Sequence, residues 1–307
     1  MVERFLTKKG QIIHAIASDF MQMKRGDKIP SVTEYQETLN VARGTIQNAL
    51  TYLKKEGGFS LQSRGHLGTY ISSIDYNVLQ RYALAETVMG TMTLPYSKLY
   101  EGLATGIYEA FRANNVRLNI AYIRGAKERI NGVLEKVYQF AVLSKFAAKE
   151  AIKSGSPIEI VVDFGEHSFL SQHVIVSTSD ISSEQLENKR IAIDYESIDQ
   201  YSLTEALVAN QNVQLVQMAG YRILEAIRKG EIDAGVWNVD EINDKNYSDL
   251  SYSELPKSLM ISDMSTAVII VHKSDESLIS FFKNSLNKEK IRNIQLAVKS
   301  GEMMPQY

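Results

Sequence analysis

The sequence predicts an N-terminal winged helix-turn-helix domain followed by an α/β body of two lobes, and three observations carry that expectation. Residues 29–71 read as two helices, a tight turn and a glycine-marked hairpin. From residue 86 the pattern changes to alternating apolar strands and amphipathic helices. That alternation restarts after Ser179-Asp180, with a weak internal repeat in which VYQFAVLS (137–144) parallels EIDAGVWN (231–238).

Bulk properties narrow the class. A chain of 307 residues has room for two or three domains. Its formal net charge is -2, so bulk charge alone does not mark a polyanion binder. The charge is unevenly spread: residues 1–74 are net positive and the remainder is net negative. That fits a DNA-binding head on a body that does not bind DNA, or two merely solvated surfaces. The absence of cysteine excludes disulfides, thiolate metal sites and cysteine nucleophiles. Lys8, Lys9, His14 and Asp19 interrupt the apolar residues near the start, unlike a signal peptide. No stretch approaches the roughly 20 apolar residues that span a bilayer. A cytoplasmic protein is expected.

In the head, Ile12, Ile13, Ala15, Ile16, Phe20 and Met23 predict an amphipathic helix over 9–23, ended by Arg25-Gly26-Asp27. Ser31 and Glu34 form a capping box that starts a short helix over 32–39, with Asn40 suited to a left-handed end. The next helix, from about 42 to 55, carries Ile46, Ala49, Leu50 and Leu53 as its core stripe. Its leading face offers Arg43, Gly44, Thr45, Gln47 and Asn48, small or hydrogen-bonding groups where a recognition helix needs them. Gly57-Gly58 stops it. Strands over 59–62 and 69–71 flank a wing tip of Arg64, Gly65, His66, Leu67 and Gly68.

These residues resemble the winged head of GntR-type transcriptional regulators: Ile29-Pro30-Ser31-x-x-Glu34, Arg43-x-Thr45-Ile46-x-x-Ala49-Leu50, Leu53-x-x-Glu56-Gly57 and Arg64-Gly65-x-x-Gly68-Thr69-Tyr70. The resemblance implies DNA contacts from Arg43, Thr45 and the wing around Arg64 and Gly65. Two arginines of that family fall on Thr33 and Gln47 here, and its serine N-cap on Ala42. Gly44 weakens the helix by up to about 1 kcal/mol relative to Ala. Lower affinity, or a more A/T-like site read by Gln47, is the expected consequence. The competing reading is a winged helix used only for protein contacts, with Arg43 and Arg64 as solvated charges.

Residues 75–85 form a connecting helix or linker, with Val78, Leu79, Tyr82 and Ala83 on helical spacing. It serves either a dimer contact or packing within its own chain. The body, 86–307, is expected to place strands at 87–94, 116–123, 140–143, 158–164, 173–177, 190–193, 213–218, 234–237 and 267–271. Helices are expected over 98–111, from Arg124-Gly125 to 137, through 152, over 202–210 and 221–229, and over most of 276–299. Strand–helix alternation predicts parallel sheets. Gly102-x-x-x-Gly106 reads as helix packing rather than membrane dimerisation.

Two α/β lobes crossed twice by the chain resemble the type-2 periplasmic-binding-protein fold, which also serves regulators as an effector domain. That resemblance implies one lobe of about 86–175 plus 264–300 and another of about 176–263. Over nearly its full length the chain is similar to the YhfZ-like regulators, through LPYSKLYEGLATGI (94–107), Ile123-Arg124-Gly125-Ala126, Val236-Trp237-Asn238 and the tail Ser300-Gly301-Glu302…Pro305-x-Tyr307. The family implies transcriptional regulation and names no ligand.

Ligands of α/β sheets bind beyond the C-terminal ends of the strands. That rule selects Pro95, Tyr96, Ser97, Arg124, Ser144, His167, Asp194, Tyr195, Trp237 and Asn238 as candidate effector residues. The helix opening near Ser97 would offer free N–H groups to an anion. Arg124 would pair with a carboxylate or phosphate, Trp237 would stack on a ring and Asp194 would accept from an amine or hydroxyl. The plainer alternatives are a core Trp237, a surface Arg124, a capping Ser97 and a turn-forming Asp194. The five histidines are scattered, and Asp163, Glu166, His167 and His173 lack metal-site spacing. There is no phosphate loop, GxGxxG or GxSxG. The expected function is a ligand-responsive DNA-binding regulator, a homodimer bound to double-stranded DNA and to a small effector, anionic in one reading, without cofactor, metal or catalysis. The alternatives are a solute-binding protein and an enzyme on the binding-protein fold.

Overall fold

A computed structural model describes residues 8–83, 87–114 and 116–307. Leu84 and Ala85 of the expected linker lie outside the described residues. The chain divides into two compact units. One is Met1–Val88 with Phe111–Asn119 and Lys273–Leu286; the other is Met89–Ala110, Ile120–His272 and Asn287–Tyr307.

The first unit begins with α1 (Lys8–Met21), α2 (Val32–Leu39) and α3 (Arg43–Lys55), then the antiparallel pair β1 (Phe59–Ser63) and β2 (Thr69–Ile74), then α4 (Tyr76–Ala83). The capping box forms with both bonds: Glu34 N–H donates to Ser31 Oγ at 3.2 Å and Ser31 N–H to Glu34 Oε2 at 2.5 Å. Asn40 takes the left-handed conformation, so the chain turns sharply into α3. Ile46, Ala49 and Leu53 are buried against Ile12, Ile16 and Phe20, and the Phe20 and Phe59 rings stack at 4.0 Å. α4 packs on this core through Leu79 and Ala83.

The body runs β3 (Thr87–Met92), α5 (Lys98–Ala113), β4 (Arg117–Tyr122), α6 (Ala126–Leu134), β5 (Phe140–Ser144), α7 (Lys145–Lys153) and β6 (Ile158–Asp163). There follow β7 (His173–Ser177), β8 (Arg190–Ile193), α8 (Ile198–Val208), β9 (Gln214–Gln217), α9 (Ile223–Arg228), β10 (Ala234–Asn238), α10 (Val239–Asp244) and β11 (Ser251–Glu254). The chain closes with α11 (Ser262–Ser265), β12 (Ala267–His272), α12 (Glu276–Ser285) and α13 (Lys288–Ser300). One sheet has the order β4-β3-β5-β12-β6 and the other β11-β7-β10-β8-β9. The chain thus crosses between sheets at residues 164–172 and again at 255–266.

The sheets are mixed, which corrects the parallel expectation. β12 runs antiparallel to both β5 and β6, and β7 runs antiparallel to β10 and β11. The cause is the double crossing. The chain leaves the first sheet at the C-terminal end of β6 and enters the second beside the C-terminal end of β10, so β7 must run the opposite way. On returning, β12 enters at the C-terminal end of β5 and does the same. Helix ends shift for local reasons. α8 starts four residues early because Ser197 caps it, and α6 stops at Leu134 because Lys136 adopts φ 59. α10, α11 and β11 were not expected; each is short. α5 and α13 approach closely at Gly102 and Gly106, where an added Cβ would meet backbone of Gln295 and Ile291 at 2.6 and 2.8 Å.

One local defect is testable. Ala42 sits at the N-cap of α3 in the extended conformation that a serine adopts there, but it offers no side-chain acceptor. Ala42→Ser should stabilise the protein by about 1 kcal/mol, read as an increased urea midpoint at unchanged slope. No gain would show that the first-turn N–H groups of α3 already have equivalent partners.

Candidate functional site

The head presents its reading groups outward. Thr33, Arg43, Gln47, Asn48, Arg64, Gly65 and His66 are exposed, and Thr45 is half-buried. This follows from the core stripe of α3: burying Ile46, Ala49 and Leu53 turns Arg43, Gln47 and Asn48 to solvent. In the wing, the Arg64 guanidinium lies 4.4 Å from the centroid of the Tyr70 ring, an arrangement that restrains the cation without neutralising it.

The body holds a cleft of about 680 Å³, open mouth included, whose lining lies within one compact unit. Tyr96, Arg124, Ser144, Asp194, Trp237 and Asn238 line it, drawn from the C-terminal ends of strands of both sheets. Pro95, Ser97, His167 and Tyr195 do not. Ser97 is buried beside α5, and its hydroxyl has no hydrogen-bond partner. At the N-terminus of α5, Lys98 N–H already donates to the Asp244 carboxylate at 2.7 Å. His167 pairs its Nδ1 with the Ser171 carbonyl at 2.9 Å and lines a separate apolar groove with Met260 and Ile261. Tyr195 is exposed against Tyr201.

Sequence reasoning missed Arg129 and Asp199, two buried charges that line the cleft. Arg129 is 4% exposed. Helical side chains lean toward the N-terminus, which brings its guanidinium back to the start of α6, where it donates to the Ile123 carbonyl at 2.8 Å. Its Nε has no partner. Burial lowers its pKa to about 10. Asp199, in the first turn of α8, accepts from Ser144 Oγ at 2.8 Å. Burial pushes its carboxyl up to about 7, against the opposing pull of Ser144 and Arg129. A signal for both was available: Arg129 falls on the same helical face as Ala126, Ile130 and Val133, and Asp199 on the face of Leu203 and Leu207.

Asp194 is also buried, but fully engaged. It accepts from Gly220 N–H at 2.7 Å and Glu196 N–H at 3.1 Å, and the Arg124 guanidinium lies 3.7 Å away. One wall is aromatic. Trp237, Tyr96, Tyr100 and Phe169 meet edge to face, with successive centroids 5.7, 6.4 and 5.2 Å apart. Desolvation pushes the Tyr96 hydroxyl up to about 12. Trp237 Nε1 donates to Glu241 Oε2 at 2.7 Å, and the ring both packs against the core of its lobe and lines the cleft. Burial lowers His173 to about 4, so it is neutral near pH 7. Among the described residues no group of three or more His, Asp or Glu could hold a metal ion, and no helix is long and apolar enough to cross a membrane.

A helix-turn-helix domain joined to a two-lobed α/β body of the binding-protein type is the class these features define. A model of a helix-turn-helix domain matches residues 24–71. A model of the YhfZ C-terminal domain matches residues 75–307, and the chain belongs to the YhfZ family. It is 27% identical over 307 residues to an uncharacterized protein YhfZ of Escherichia coli K12, covering 100% of both chains. The crystal structure of YhfZ from Shigella flexneri is similar at TM-score 0.60 and 28% identity, covering 72% of this chain and 94% of that one. An ancestral arginine-binding protein bound to arginine shares the fold at TM-score 0.53 and 12% identity, covering 70% and 97%. The aliphatic sulphonate binding protein SsuA of Escherichia coli does so at 0.53 and 10%, covering 70% and 75%.

The buried carboxyl makes a pH prediction. The folded value of Asp199, about 7, exceeds its ordinary value of 3.8, so folding takes up a proton there. Its contribution to stability is fully present below about pH 4 and is lost as pH rises through about 7. Asp199→Asn keeps the acceptor for Ser144 and removes that loss. Its melting temperature relative to wild type should therefore rise between about pH 5 and about pH 8. A flat offset across that range would contradict a protonated Asp199.

Proposed function

We propose that the protein is a ligand-responsive DNA-binding transcriptional regulator, with a small-molecule effector bound in the cleft of the body. The observation that supports it best is the presence, on one chain, of an outward reading face on a helix-turn-helix domain and a polar, aromatic-walled cleft at the strand ends of a binding-protein-like body. Arg43, Thr45, Gln47 and Asn48 would read base edges in the major groove, and Arg64, Gly65 and His66 would meet the backbone beside it. Thr33, on α2, would take a phosphate contact of the kind that crossing helices make.

The protein acts as a homodimer in this reading. Two recognition helices would engage half-sites about one helical turn apart, or a multiple of that. The bound effector would favour one arrangement of the two lobes, and its differential affinity for the arrangements would be the regulatory signal. The GntR-like residues of the head support the DNA side. The arginine and the aliphatic sulphonate named for the similar solved structures are ligands of small polar kind, in keeping with the cleft.

Selection of duplexes from a random pool, followed by affinity measurement against salt, tests this directly. A salt-sensitive specific complex is expected, its logarithmic affinity falling linearly with logarithmic salt. Arg43→Ala should weaken that complex by about 1–3 kcal/mol without changing the circular dichroism. A pool that yields no enriched, salt-sensitive duplex would refute DNA regulation and leave a solute-binding body with an idle head.

A further inference from the structure

The cleft contains a buried cation that forms no salt bridge among the described residues. Arg129 is almost wholly buried, one guanidinium nitrogen is spent on the Ile123 carbonyl, and Nε has no partner. Buried charges are normally paired, because an isolated one is costly to desolvate. Neither nearby carboxyl group is hydrogen-bonded or salt-bridged to it. Asp194 is held by two backbone N–H groups and faces Arg124, while Asp199 is bonded to Ser144 and burial favours its neutral form.

A second observation points to the same spot. α6 begins at Gly125, whose φ of 79 suits glycine and which supplies no side-chain cap. Arg124, Gly125 and Ala126 all line the cleft, so the first turn of a nine-residue helix opens on it. Free N–H groups and the positive end of the helix dipole favour an anion there. The aromatic wall of Trp237, Tyr96, Tyr100 and Phe169 is the apolar surface of the same cleft that a ligand's carbon body could meet.

We propose that the cleft takes a small organic oxyanion, its charged group seated on Arg129 and the N-terminus of α6 and its carbon body against the aromatic wall. This rests on the cleft being the effector site. Carboxylate, sulfonate and phosphonate groups share the chemistry that this seat recognises: several acceptor oxygens around one negative centre. A cationic ligand would instead face two guanidinium groups.

The test uses the full chain and five probes: benzoate, methanesulfonate, methylphosphonate, inorganic phosphate and, as a cation, ethylammonium. Binding is followed by calorimetry and thermal shift at constant ionic strength. At least one oxyanion should bind saturably below about 10 mM, and Arg129→Gln should weaken it about tenfold or more. Asp199→Asn removes a neighbouring negative charge and should tighten the same oxyanion at about pH 8. Should Arg129→Gln fail to fold, the direction of the Asp199→Asn effect decides. No saturable oxyanion, or ethylammonium binding that Asp199→Asn weakens, would overturn the proposal. DNA binding measured on the same samples separates the two failures: a chain that still selects DNA while rejecting oxyanions loses only this inference.

Discussion

The hydrogen bond from Ser144 to Asp199 joins the two sheets at the cleft, and the chemistry of the site depends on it. Ser144 ends β5 of one sheet and caps α7, while Asp199 opens α8 on the other. Asp199 at that junction is largely buried, and burial pushes its carboxyl up to about 7. The same burial leaves Arg129 as a cation with little around it to screen it. The strand ends supply the polar groups, the double crossing of the chain turns those ends toward one another, and the first turns of α6 and α8 put largely buried charge at the cleft.

Several groups of the cleft are held by backbone or by one another: Asp194 by Gly220 and Glu196, Gln200 by Asp194 N–H and the Ala192 carbonyl, and Trp237 by Glu241. Groups held in this way present a fixed shape and potential, which is what discrimination among small ligands needs. The Lys98–Asp244 contact adds a link between the two lobes, since α5 belongs to one and α10 to the other. A ligand that altered lobe closure would have to keep or break it.

Much of this was legible in the sequence, for reasons that differ by element. The head was legible because each local signal agrees with the next: a capping box at Ser31 and Glu34, a left-handed Asn40, a four-residue apolar stripe on α3 and glycines at the hairpin. The strand-end rule pointed to Tyr96, Arg124, Ser144, Asp194, Trp237 and Asn238, because strand ends in the body are marked by a switch from apolar to polar residues. Direction in the sheets was not legible. Whether β7 and β12 run with or against their neighbours depends on where the chain crosses, which periodicity does not encode. Arg129 and Asp199 escaped because each is an ordinary charge on an otherwise apolar helical face, and such charges more often reach past the core to water. The N-terminus of α5 misled because its anion, Asp244, comes from 146 residues further along the chain.

In the proposed regulator, occupancy of the cleft and binding of DNA are coupled. The most direct measurement is the affinity of the full chain for its selected duplex, titrated with an oxyanion that saturates the cleft, at constant ionic strength. Linkage predicts that the duplex affinity shifts by a fixed factor, reaching its plateau at the anion concentration that saturates the cleft, and that the duplex shifts anion affinity by the same factor. A duplex affinity that stays constant through saturation of the cleft would contradict it.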